Sequence, residues 1–162
     1  MNKISLNIRS LSAAGASAFV MAMALIVPFE GKEFKPYYDV AGILTVCHGH
    51  TGSDIIEDKT YNESECVQLL EQDLATVKQN LDPLIKHPIP EATRAALYSF
   101  TFNVGVGAMS RSTLLMKLNS GDTKAACLEL HRWVYAGGQK WKGLITRRQI
   151  EEEICNLQLS SS

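Results

Sequence analysis

The stretch "FEGKEFKPYYDVAGILTVCHGHTG", residues 29–52, decides the fold. Short apolar runs, β-branched residues and Gly42 predict a small hairpin or short sheet over 37–50. Glu30, Asp39, Thr45, His48 and His50 crowd into the same stretch. Glu30 also ends a run of twenty uncharged residues, "SLSAAGASAFVMAMALIVPF", at 10–29. A potential acid thus follows directly on a segment of membrane length.

As one helix, that run would reach about 30 Å, the thickness of a bilayer core. Lys3 and Arg9 precede it, a bias that keeps the N-terminus cytoplasmic and sends the rest across. Four readings compete: a cleaved signal peptide, a firm anchor, a weakly held anchor that later leaves the membrane, and a buried helix. Ala16-Ser17-Ala18 and Ala22-Met23-Ala24 suit signal cleavage. The Ala-, Ser- and Gly-rich first half gains little from lipid, which favours the weak anchor over the firm one. Near-uniform apolarity argues against a surface helix.

Downstream of residue 52 the pattern is helical. Residues 62–81 open with Asn62 and Glu65 in capping-box spacing, and Val67, Leu70, Leu74, Val77 and Leu81 recur on one face. Pro83 stops this helix, which is long enough to join two lobes. Shorter helices are predicted over 90–103, 112–119, 122–135 and 144–157, punctuated by glycines. The class is α+β, mainly α.

Composition narrows the function. The 162 residues carry a net charge of −1, so no basic excess supports a nucleic-acid partner. Lys124, Arg132, Lys140, Lys142, Arg147 and Arg148 make the C-terminal region locally basic, which reads mostly as solvated helical surface. Cys47, Cys66, Cys127 and Cys155 fit no zinc spacing, and in an oxidising compartment they allow three pairings. His48 and His50 point the same way on a strand but lack an evident third ligand, so no metal is expected. Trp133, at helical spacing from Leu130, reads as core; either it or Trp141 can stack on a sugar.

Two carboxyl groups facing one cleft are the minimum for cutting a glycosidic bond. The apolar run before Glu30 would supply the dry surroundings a general acid needs. Asp39, beside a turn, would stay ionised, and Thr45 would hold a water near it. By residue type alone Glu33 is an equal candidate, and most turn aspartates only shape the backbone.

The spacing Glu30, Asp39, Thr45, Gly49-His50 resembles the catalytic segment of phage-type lysozymes, glycoside hydrolase family 24. The resemblance continues through "SFTFNVGVGAMSRSTLLMKLNSGD" at 99–122 and "RWVYAGGQKWKGLITRRQIEEEI" at 132–154. It is strongest to lambdoid phage endolysins with a signal-arrest-release segment. The resemblance implies a two-lobed fold with the 62–81 helix as linker. It implies a muramidase that cuts the β-1,4 bond between N-acetylmuramic acid and N-acetylglucosamine, without a cofactor and with an inverting outcome. Glu30 would donate the proton, and Asp39 and Thr45 would position the water. Phe102 and Asn103 would line the cleft, with Arg132 and His50 as further substrate-side candidates; for His50 a structural pairing with Asp73 is favoured.

The chain would divide into a signal-anchor segment, 1–29, and a lysozyme-like catalytic domain, 30–162. It would be a monomer, single-pass in the host inner membrane and facing the periplasm, released there on activation and cooperating with a phage holin. Disulfides Cys47–Cys66 and Cys127–Cys155 are expected. Residues 1–46 contain no cysteine, so activation by thiol exchange within the anchor is not expected. A lytic transglycosylase, a cleaved-signal antibacterial lysozyme and a non-enzymatic wall-binding module are the alternatives.

Overall fold

A computed structural model describes residues 2–159. The 10–29 run is not one helix. It contributes to α1 (Lys3–Ala13) and forms α2 (Ala18–Ile26). Gly15 breaks the run with φ +80°, a conformation costly for any residue with a Cβ. Ser17 then caps α2, its side chain accepting from the Val20 N–H. No helix among the described residues is long and apolar enough to cross a membrane. The single span expected from hydropathy is therefore absent from this conformation.

Both helices instead enter the main core. Ile8, Met21, Ala22, Leu25 and Ile26 are fully covered, packed in one cluster with residues of the later helices. Helix α2 lies mainly against α4 (Glu91–Val104), and α1 lies against α2 and α8 (Lys142–Cys155). Polar contacts fix the docking. Ser5 Oγ donates to Glu153 at 2.8 Å, Arg9 pairs with Glu153 at 2.9 Å, and the Ala18 N–H donates to Glu91 at 2.7 Å.

The sheet begins earlier than the sequence pattern suggests. Strands β1 (Glu33–Tyr38), β2 (Leu44–Cys47) and β3 (His50–Thr51) pair antiparallel in that order. The β1–β2 register is irregular between Glu33 and Tyr37, where Pro36 cannot donate to the ladder. A small second core of Val46, Cys47, Ile55, Tyr61 and Cys66 underlies this sheet.

Helix α3 (Glu63–Leu81) joins the lobes as expected, with the Asn62/Glu65 capping box in place. Its Cys66 belongs to the small core, and its Leu70, Leu74 and Leu81 belong to the large one. Helices α5 (Val106–Ser110), α6 (Thr113–Asn119) and α7 (Thr123–Leu128) complete the larger lobe. The helix expected over 122–135 stops short. A 3₁₀ turn follows α7 at Glu129–Arg132, and then β4 (Tyr135–Ala136) pairs with β5 (Gln139–Lys140). Gly137 and Gly138, at φ +59° and +79°, make the two-residue turn that a tight hairpin requires. Disulfides join Cys47 to Cys66 and Cys127 to Cys155, one in each lobe.

Candidate active site

Glu30 stands where the lobes meet. The chain leaves α2 in a turn, and the Glu30 N–H donates to the Ile26 carbonyl, so the position of α2 sets that of Glu30. On the small-lobe side, the Gly49 turn comes close enough that a Cβ there would lie 3.6 Å from Glu30 Oε2. On the large-lobe side, Arg147 Nη1 donates to Glu30 Oε1 at 2.9 Å. The Arg147 guanidinium also lies over the Phe29 ring, 5.2 Å from its centroid. The dry surroundings expected from the preceding run are thus replaced by an ion pair. Most of the apolar side chains of that run, Met21, Leu25 and Ile26 among them, are buried in the core, and Phe29 stays beside the acid at the cleft.

Arg147 is itself held from behind. Its Nε donates to Glu151 at 3.1 Å, and its Nη2 donates to the Ser99 carbonyl at 3.2 Å. Ser99 Oγ donates to Glu151 at 2.7 Å, and Arg148 Nε pairs with the other Glu151 oxygen at 2.7 Å. Glu151 is fully buried, and burial pushes its carboxyl above the ordinary range against the pull of Arg148 and Arg147. Arg148 reaches on to Asn103, donating to its Oδ1 at 2.9 Å. By sequence the basic residues of this region read mostly as solvated surface, yet Arg147 and Arg148 are buried. The signal that marks them is Glu151 at i+4 and i+3 on the same helix, next to buried Ile150 and Ile154.

Asp39 lies at the β1–β2 turn. Its Oδ1 accepts from the Ala41 and Ile43 N–H groups at 2.8 and 2.9 Å. The Asp39 N–H and Thr45 Oγ1 both donate to the Ile43 carbonyl, each at 2.9 Å, which ties the two residues to one turn. Thr45 is buried, and Asp39 is half-buried.

A cleft of about 470 Å³ opens at Glu30. Phe29, Asn103, Ala136, Trp141, Gly143, Leu144 and Arg147 form its remaining walls. Asn103 is therefore at the cleft as expected. Phe102, its neighbour, packs half-buried against the large core. Arg132 is exposed and pairs with Glu129 at 3.1 Å. Trp133 is core, edge-on to Phe100 at 5.2 Å between ring centroids. His50 is buried, with Nδ1 2.9 Å from Asp73 and Nε2 2.9 Å from Asp54. Burial pushes the His50 imidazole pKa down, but its hydrogen bonds to Asp54 and Asp73 outweigh this and hold it above the usual 6.5. The expected pairing with Asp73 is present.

A carboxyl group in a cleft of the helical lobe, beside a turn of a small β lobe, fits a glycoside hydrolase of the lysozyme type. The phage lysozyme family model matches residues 27–151, and the chain belongs to that family. It is 52% identical over 151 residues to a "SAR-endolysin" of Bacteriophage PS119, covering 90% of each chain. Its fold is similar to that of a P22 lysozyme mutant, with a TM-score of 0.75 and 30% identity over 82% of this chain and 93% of that one. It is also similar to the active form of the P1 phage endolysin Lyz, with a TM-score of 0.77 and 20% identity over 98% of this chain and 96% of that one. Against the secreted inactive form of that endolysin the TM-score is 0.52, with 18% identity over 67% of this chain and 77% of that one.

Proposed function

We propose that this chain is a muramidase endolysin that cuts the N-acetylmuramic acid to N-acetylglucosamine bond of peptidoglycan. The observation that carries the reading is Glu30, held by the larger lobe through Arg147 and lying beside the Gly49 turn of the smaller lobe. Glu30, protonated on Oε2 when substrate is bound, delivers that proton to the glycosidic oxygen as the bond to the anomeric carbon breaks, and Arg147 at Oε1 stabilises the carboxylate left behind. Asp39 has Oδ1 committed to backbone N–H groups, and its Oδ2 accepts no hydrogen bond among the described residues. That oxygen takes the proton of the attacking water, and Thr45 Oγ1, already donating to Ile43, accepts the water's second hydrogen. Attack from the face opposite the leaving group inverts the anomeric centre. The enzyme works as a monomer and needs no cofactor.

The fold also supports a control step. The apolar face of Ala18–Ile26 cannot lie in lipid and in the protein core at once. While residues 10–29 span the inner membrane, N-terminus inside, Glu30 is held at the bilayer surface and the core lacks α2. Release into the periplasm, aided by a phage holin that collapses the membrane potential, lets α2 dock and sets Glu30 against Arg147. The intact mass of the soluble periplasmic form tests this: full length supports release, and loss of the first ~20–25 residues means signal cleavage.

For the chemistry, Glu30→Gln is expected to lower turnover of purified sacculi by at least about 10²-fold while melting like wild type. Unchanged lysis would overturn the assignment of Glu30. Product masses separate the readings: hydrolysis leaves reducing muramic ends, and a transglycosylase would leave 1,6-anhydro ends.

A further inference from the structure

Trp141 contrasts with Trp133. Trp133 is half-buried, with its ring set against Phe100. Trp141 is 55% exposed, and it lines the same cleft as Glu30. An exposed large aromatic needs no explanation when it stands alone. This one, however, is held in place at three points. Its N–H donates to the Val134 carbonyl at 3.0 Å, and its own carbonyl accepts from the Ile145 N–H at 3.0 Å. Its indole Nε1–H donates to the Ala136 carbonyl at 2.9 Å. With N–H and carbonyl both bonded and the ring tethered at its edge, the indole has little freedom left to lose on binding. The polar edge is satisfied within the protein, so what the ring offers the cleft is apolar surface.

The local fold is arranged to produce this. Trp141 joins the Gly137-Gly138 hairpin to the start of α8. Arg147 lies on that same helix, so the ring and the partner of Glu30 share one rigid element. Gly143 and Leu144 continue the wall beside it. The cleft therefore pairs charged groups at Glu30 and Arg147 with a fixed aromatic surface. A pyranose ring has that pairing of properties: hydroxyl and amide groups around its rim and a C–H-covered face.

We propose that Trp141 is a sugar-stacking residue, whose indole face receives an N-acetylhexosamine ring of the glycan strand next to the bond that Glu30 protonates. The inference rests on the muramidase reading. Its energetic role is to hold the strand in register, so its removal weakens binding more than turnover.

The test uses the full-length released protein and soluble uncrosslinked glycan strands from peptidoglycan. Trp141→Ala is expected to raise KM about five- to tenfold, the scale of one aromatic contact, with a smaller fall in kcat. Trp141→Phe keeps a ring face but loses the Nε1 bond, and it is expected to recover most of the affinity even where Trp141→Ala lowers the melting temperature. A second readout uses Glu30→Gln, which is expected to bind without cutting. The chain has only two tryptophans, so a glycan-dependent fluorescence change that disappears in Glu30→Gln/Trp141→Phe reports on Trp141. Equal KM in wild type and Trp141→Ala, or a fluorescence change that survives loss of Trp141, overturns the proposal while leaving the muramidase reading intact. Absence of cleavage by wild type would instead overturn the muramidase reading.

Discussion

Leu25 offers the sharpest test of what the N-terminal run does, because its two roles respond to substitution with opposite signs. In the folded protein Leu25 is fully covered, in the turn of α2 just before Glu30. Leu25→Ala removes buried methyl groups and leaves a cavity, at a cost of about 2.7–5 kcal/mol. For a chain of this size that lowers the melting temperature by roughly 5–20 °C. In lipid the same change weakens the anchor by only about 0.3–0.6 kcal/mol. If the run were an anchor alone, Leu25→Ala would hasten release and leave the soluble enzyme as stable as before. If the run is also a core helix, the docked state loses more than the lipid state does, so release is disfavoured by roughly 2–5 kcal/mol and the released enzyme is much less stable. Urea denaturation of the released protein, followed by circular dichroism with disulfides intact, measures the first quantity. The timing of lysis after induction measures the net effect. A denaturation midpoint that matches wild type, with earlier lysis, would refute the argument that α2 belongs to the working enzyme.

The remaining predictions concern the two lobes and their junction. Arg147→Ala strands Glu151 with fewer partners in a dry site and should cost about 3–5 kcal/mol by denaturation, with activity falling as Glu30 loses its anchor. The raised His50 pKa gives stability that is complete below 6.5 and lost as pH climbs through the folded-state value. His50→Asn should therefore flatten the decline of melting temperature above pH 6.5 seen in wild type. Cys127→Ser/Cys155→Ser opens a link spanning 28 positions, and Cys47→Ser/Cys66→Ser opens one spanning 19. Chain entropy assigns each about 3–4 kcal/mol, with the longer loop ahead by only a few tenths. Midpoints that differ by several kcal/mol between the two variants would show that loop entropy is not the main term.

Local rules carried much of the architecture. Asn62 and Glu65 marked the start of α3 correctly, because a capping box is made by residues three apart and needs no distant partner. The turn at Gly42 and the β-branched residues around it marked the small sheet for the same reason. Two segments take their folded form from partners outside their own stretch. The 122–135 pattern looked helical, yet the Gly137-Gly138 turn pulls Tyr135 into a hairpin that closes only when Gln139 and Lys140 return beside it. The run at 10–29 reads as one membrane span by hydropathy, and in this fold Gly15 and the Ser17 cap bend it so that α1 and α2 can cover the core formed by α4 and α8.

By itself the sequence determined the residue types of the site, the linking helix and, through resemblance, the family and the cysteine pairs. Tertiary structure alone decided who holds Glu30. Arg147 lies 117 positions away, and no periodicity connects it to the acid. Tertiary structure also decided which apolar environment the N-terminal run occupies. Hydropathy measures only how strongly a segment avoids water, and lipid and protein interior satisfy that avoidance equally well. What separates them is packing shape and the polar contacts that Ser5, Arg9 and the Ala18 N–H make with Glu153 and Glu91, and those partners exist only in the folded domain.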